Sequence, residues 1–196
     1  MIALGLPWMR WFPVLEERSV RIYVFGQSVS IMGTWVLDIL LNLALWRATR
    51  SPGLLGLLNF VLYVPGLVLT PWFSATLSVA NARRRTLAVL SGGLTVAVLL
   101  ALLSALGWLG MGALLLLAGV RGVLNGLEQP ARQMLLATAV SHPDRIGGAL
   151  ALNTTVFQVA RMTGPALASM MFASVGAAWG FVCSACAIAV MIACVL

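Results

Sequence analysis

Four polar side chains recur along one apolar run: Arg121, Asn125, Glu128 and Arg132, spaced four, three and four residues apart. On an α-helix each residue advances about 100°, so this spacing sets all four on a single face. Alternating charge at such positions can bind ions, hold a proton or pair with an opposite charge on a neighbouring helix. A second stripe, Gln27, Ser30, Thr34, Asp38 and Asn42, falls within roughly a third of a helical circumference and carries a carboxylate. Asn59, Tyr63 and Thr70 form a third line. Asn153, Thr154, Gln158 and Arg161 share one broad face of a fourth segment.

The elements that carry these stripes belong in a bilayer. Hydrophobic residues make up 61% of the 196-residue chain and charged residues 9%. Soluble domains hold roughly 45–50% and 25%, and so few charges cannot cover a soluble surface. Six runs approach the 20 or so apolar residues that about 30 Å of hydrocarbon requires. They are residues 22–46, 54–77, 87–106, 111–127 with a polar extension to 140, 150–172 and 177–196. Helix is the expected form for each, because lipid leaves an unpaired strand edge unsatisfied. No composition shift marks a second domain, so residues 1–196 read as one bundle. Residues 1–15, with Trp8, Trp11 and Phe12, read as an interfacial lead-in rather than a cleavable signal peptide.

Arginine placement gives the orientation. Arg10, Arg18, Arg21, Arg83, Arg84, Arg85, Arg132 and Arg145 fall on one side of the predicted spans, against Arg47 and Arg50 on the other. The positive-inside bias therefore expects a cytoplasmic N-terminus and a cytoplasmic turn at residues 80–85. The net charge of +7 does not indicate nucleic acid, since the arginines neither line a soluble helix nor interleave with aromatics.

A single Asn, Gln or Thr in a membrane helix commonly bonds a neighbouring helix. Asp38, Arg121 and Arg161 are harder to dismiss, because an unpaired charge inside the membrane is costly. Asp38 and Arg121 either face one cavity and pair, or Asp38 is hydrated near the outer interface, eight residues before Trp46. Glu128 and Arg132 either serve that cavity or pair at the cytoplasmic boundary. Gly122 and Gly126 form a GxxxG motif on another face, suited to close helix contact. Pro65, Pro130 and Pro165 are able to kink their helices. Cys183 and Cys186 have CxxC spacing without a second ligand pair, and read as small helical residues, with no metal or other cofactor expected. The one histidine, His142, lies in a predicted loop, which argues against intramembrane proteolysis and enzyme activity generally.

The first, second, fourth and fifth spans are striped, whereas the third and sixth are plain. That is the pattern of a three-plus-three repeat around a central cavity, with the plain helices toward lipid. Phe25-Gly26-Gln27-Ser28-Val29-Ser30, Gly33-Thr34-Trp35, Ser51-Pro52 and Gly56 resemble the first two helices of major facilitator superfamily exporters. Pro130-Ala131-Arg132-Gln133, residues 149–153 (ALALN), Ala160-Arg161 and Gly164-Pro165-Ala166 continue the resemblance in order, over nearly the whole chain from Phe12. The nearest group is the enterobactin-exporter-like, transmembrane secretion effector permeases.

The resemblance implies an all-α fold of twelve spans, of which this chain supplies the N-terminal six, with the partner C-terminal half missing and the chain a fragment or truncated product. It implies proton-coupled antiport, with efflux of a small molecule such as a siderophore or drug across the cytoplasmic (inner) membrane of a bacterium. Its partners are then lipid, substrate and protons. Candidate substrate and proton-coupling residues are Asp38, Asn42, Asn59, Tyr63, Arg121, Asn125, Glu128, Asn153, Gln158 and Arg161. Arg83, Arg84 and Arg85 match the family's second-to-third turn, but its usual glycine and aspartate are absent from residues 73–85, FSATLSVANARRR. A non-transporting remnant or a six-helix membrane partner protein is the alternative.

Overall fold

Punctuation in the sequence sets the helix ends. In the computed structural model, which describes residues 17–140 and 143–196, Arg50 adopts a left-handed conformation (φ 52°) and closes the first helix by donating its N–H to Trp46. Ser51 then accepts from the N–H of Leu54 at 3.4 Å, and Pro52 opens the next helix where no N–H is needed. Gly107 (φ 72°) turns the chain between the third and fourth helices, and Gly176 (φ 82°) between the fifth and sixth. Both positions favour glycine because a Cβ is strained there. The predicted lead-in at Trp8, Trp11 and Phe12, together with Arg10 and His142, lies outside the described residues.

Among the described residues there are six α-helices: α1 (Arg18–Thr49), α2 (Pro52–Ala75), α3 (Ala82–Ala105), α4 (Met111–Ala139), α5 (Ile146–Ser174) and α6 (Gly176–Val195), with a 3-10 turn at Pro143–Arg145 before α5. No strand occurs among the described residues. Most helices extend beyond the apolar runs, and the polar extension of the fourth run is continuous with α4. Five of the six are long and apolar enough to cross a membrane. The exception is α5, which is long enough at 29 residues but is diluted by Asn153, Thr154, Thr155, Gln158 and Arg161.

α1 is the hub, packed against α6, α5, α4 and α2, while α3 lies against α6 and α4. Leu37, Leu40, Leu41 and Leu45 of α1 are wholly buried, as is Phe181 of α6. Lipid is as apolar as leucine, so close packing rather than water exclusion must hold such helices together. α2 and α4 show how. A Cβ added to Gly126 would enter the backbone of Gly66, and one on Gly66 would lie 2.9 Å from the Gly122 carbonyl oxygen. Thr70 then bridges the pair, its one hydroxyl proton shared between Gly66 O at 2.6 Å and Gly126 O at 2.7 Å.

The arginine cluster sits differently from a loop. Asn81 ties its own turn, accepting from Ser78 N and donating to Thr76 O, each at 2.9 Å, so α3 begins at Ala82. Arg83, Arg84 and Arg85 therefore occupy the first turn of α3. Arg83 donates to the carbonyls of Val195 (2.9 Å) and Leu196, tying the start of α3 to α6. Arg85 lies 5.4 Å from the Phe73 ring and donates to Thr76. Arg84 is exposed and makes no such contact.

The plain helices do present an apolar outer face. Val98, Leu102, Trp179 and Val182 line a shallow groove between α3 and α6. Their inner faces are well packed, however, because α6 lies along α1.

Candidate functional site

Between α1 and α4 runs an unbroken chain of buried polar side chains. Arg121 Nε donates to Asp38 Oδ1 at 3.2 Å, and Arg121 Nη1 to Glu128 Oε2 at 3.0 Å. The other oxygen of Glu128 accepts from Arg132. Arg132 also donates to Gln27 Oε1 at 2.5 Å and to the Ser30 hydroxyl at 2.8 Å. Gln27 in turn donates to Asn153 Oδ1 at 2.8 Å, which brings in α5. The Tyr23 hydroxyl closes this end on the Arg132 carbonyl at 2.8 Å.

Burial dictates this arrangement. Arg121 and Arg132 are each 1% exposed, so every charge must meet an opposite one nearby. Asp38, Arg121, Glu128 and Arg132 do so as a set of two acids and two bases with no net charge. Asp38 is held twice, since Asn125 donates to its Oδ2 at 3.1 Å. Among the described residues, Arg121 Nη2 and Arg132 Nε remain buried without an acceptor.

The Asp38 end of the chain opens onto a groove of about 380 Å³. Asp38, Thr34 and Trp35 of α1, Tyr63 and Leu67 of α2, Asn125 and Gln129 of α4, and Phe157 of α5 line it. Trp35 and Phe157 meet edge to face at 5.8 Å between ring centroids. The Gly66, Gly122 and Gly126 contact forms its floor. The larger α3–α6 groove has almost no polar lining and no charged residue in it.

Candidate residues from the sequence divide into four groups. Asp38, Arg121, Asn125 and Glu128 are in direct contact, and Asn153 joins them through Gln27. Asn42 and Asn59 form their own link, Asn59 donating to Asn42 Oδ1 at 2.8 Å, while Asn42 donates to the Asp38 carbonyl at 2.9 Å. Tyr63 sits half-exposed at the groove. Gln158 and Arg161 stand apart. The broad polar face of α5 splits, because Ala149, Asn153, Ala160, Gly164 and Ala168 turn toward the bundle and leave Thr154, Gln158 and Arg161 exposed. Sequence reasoning placed Gln27, Ser30 and Arg132 on stripes without giving them a site role. Their signal was a run of hydrogen-bonding groups at helical spacing on two different helices. Tyr23 and Thr86, whose hydroxyl reaches Ala131 O at 3.1 Å, gave no such signal.

Comparison with known proteins now decides the family. The transmembrane secretion effector model matches residues 10–196. The chain belongs to that family of major facilitator transporters. Its long apolar helices are those of a multi-pass membrane protein, as membership of a transporter family leads one to expect. It is also similar to a Staphyloferrin A transporter of Staphylococcus aureus (strain NCTC 8325 / PS 47), at 27% identity over 153 residues. That match covers 77% of this chain and 38% of the relative, so the chain spans well under half of the relative's length. No solved structure matches it.

Proposed function

We propose that this chain supplies the N-terminal six-helix half of a proton-coupled exporter, which moves a small molecule such as a siderophore across a bacterial cytoplasmic membrane. The observation that carries the reading is the buried, charge-neutral Asp38–Arg121–Glu128–Arg132 chain, open to a groove at its Asp38 end. A proton bound by Asp38 cancels its charge and weakens its hold on Arg121, while Glu128 keeps Arg121 and Arg132. The contact between α1 and α4 then has two states, one ion-paired and one not. A substrate that competes for the groove biases the same equilibrium, which is what coupling requires. The arginine asymmetry supports a cytoplasmic N-terminus.

Transport by the full-length protein in proteoliposomes tests this. An imposed pH gradient should drive siderophore movement, and Asp38→Asn should abolish the dependence on the gradient while leaving downhill exchange. Gradient-driven movement that persists in Asp38→Asn would sink the reading. The second reading, a six-helix membrane protein without transport, is favoured by one feature: the turn before α3 lacks the family's glycine and aspartate. It predicts stable insertion with no movement of substrate under any gradient.

A further inference from the structure

The four charges of the buried chain cancel, but a fifth charge at the same level does not. Arg161 lies 13 residues from the Ser174 end of α5. Asp38 lies 11 from Thr49, Tyr63 11 from Pro52 and Arg121 10 from Met111, all at the corresponding ends of their helices. At 1.5 Å per residue these groups share one layer, roughly 15–20 Å in from the helix ends. Among the described residues, Arg161 is the mid-helix charge that has neither an ion pair nor a hydrogen bond. An unpaired guanidinium there is costly unless something anionic or water meets it.

Its position on α5 shows where that something would sit. Arg161 follows Phe157 by one turn and precedes Gly164 by three residues, so it shares their face. Phe157 packs against Trp35 and lines the groove, and a Cβ on Gly164 would lie 2.8 Å from Trp35 Cβ. Arg161 thus lies at the exposed edge of the α5 face that meets Trp35, next to the groove rather than in its lining. Asp38 is already held by Arg121 and Asn125, which leaves Arg161 as the uncommitted charge beside the groove.

Deepening the transport reading, on which this inference rests, we propose that Arg161 anchors an anionic group of the transported molecule, and that the substrate class is amphipathic carboxylates. A guanidinium forks onto a carboxylate through two parallel hydrogen bonds. The half-exposed Tyr63 hydroxyl offers a further donor, and Trp35, Phe157 and Leu67 offer an apolar bed for the rest of the molecule.

Binding of 1-naphthoate and its neutral isostere 1-naphthamide to the full-length protein in detergent tests the assignment. Wild type should prefer the carboxylate by about tenfold, the scale of one charge-assisted contact. Arg161→Gln should bring the two affinities within about twofold by weakening naphthoate alone, and Arg161→Lys should keep part of the preference. A wild type that does not discriminate overturns the assignment, and that result needs no variant to fold. A preference that survives in a folded Arg161→Gln protein also overturns it, and would mean that Arg161 pairs with an acid elsewhere in the protein. Proton-driven transport separates this from the broader reading. Transport that persists without any carboxylate preference sinks the anchor alone, whereas a preference without transport sinks the exporter.

Discussion

Arg121 Nε donates to Asp38 Oδ1 across 3.2 Å, joining α4 to α1 at a point almost closed to solvent. The same guanidinium reaches Glu128 at 3.0 Å, so the pair is part of a longer line of alternating charge. That second contact determines how the pair must respond to mutation.

Removing one charge from a buried pair costs about 3–5 kcal/mol, because the other is left uncompensated. Arg121→Gln should show that loss in full as a lowered melting temperature in detergent. Asp38→Asn should cost less, since Glu128 still holds Arg121. Reversing both charges, Asp38→Arg with Arg121→Asp, sets a carboxylate against Glu128 and should rescue poorly. The neutral double, Asp38→Asn with Arg121→Gln, leaves Glu128 paired with Arg132 and should be the more stable of the two doubles. A charge-reversed protein that melts higher than the neutral double would refute this geometry.

Close packing of α2 on α4 should tolerate nothing larger than glycine. Gly126→Ala drives a methyl into the backbone of Gly66 and should cost about 1–3 kcal/mol or more. Gly112→Ala, where a Cβ meets nothing, serves as the control and should stay within about 0.5 kcal/mol of wild type. Equal melting temperatures for the two variants would show that the helices are not in contact at Gly126.

The three consecutive arginines should separate by role. Arg83→Gln removes the donors to Val195 and Leu196 and should speed amide exchange around Val195 by about twofold, the scale of an exposed charged contact near 0.5 kcal/mol. Arg84→Gln should leave that exchange unchanged. Identical exchange in both variants would reduce the cluster to a topological signal.

Orientation is open to direct chemistry. With Cys183, Cys186 and Cys194 replaced, a cysteine at Asn81 should resist an impermeant thiol reagent applied to intact cells, as the arginine asymmetry predicts. Rapid labelling would invert the proposed topology.

Hydropathy and helical spacing were enough to read an all-helical membrane chain from the sequence, with Asp38 and Arg121 as charges too costly to leave alone. Both are local properties: a 20-residue apolar run and a four-residue polar repeat mean the same thing in any fold. GxxxG at Gly122 likewise announced close contact, because only a missing side chain lets two backbones meet. Partner choice was not local. Arg132 meets Gln27 across 105 positions and Glu128 across four, and no spacing rule ranks those two alternatives. The rotation of α5 was also invisible, since its polar residues cover a broad arc; packing of Ala149, Ala160 and Gly164 turned Asn153 inward and left Arg161 at the exposed edge of that face. Sequence periodicity specifies which residues share a face, but only the packing of one helix on another decides which face is buried, and therefore which charges must find each other.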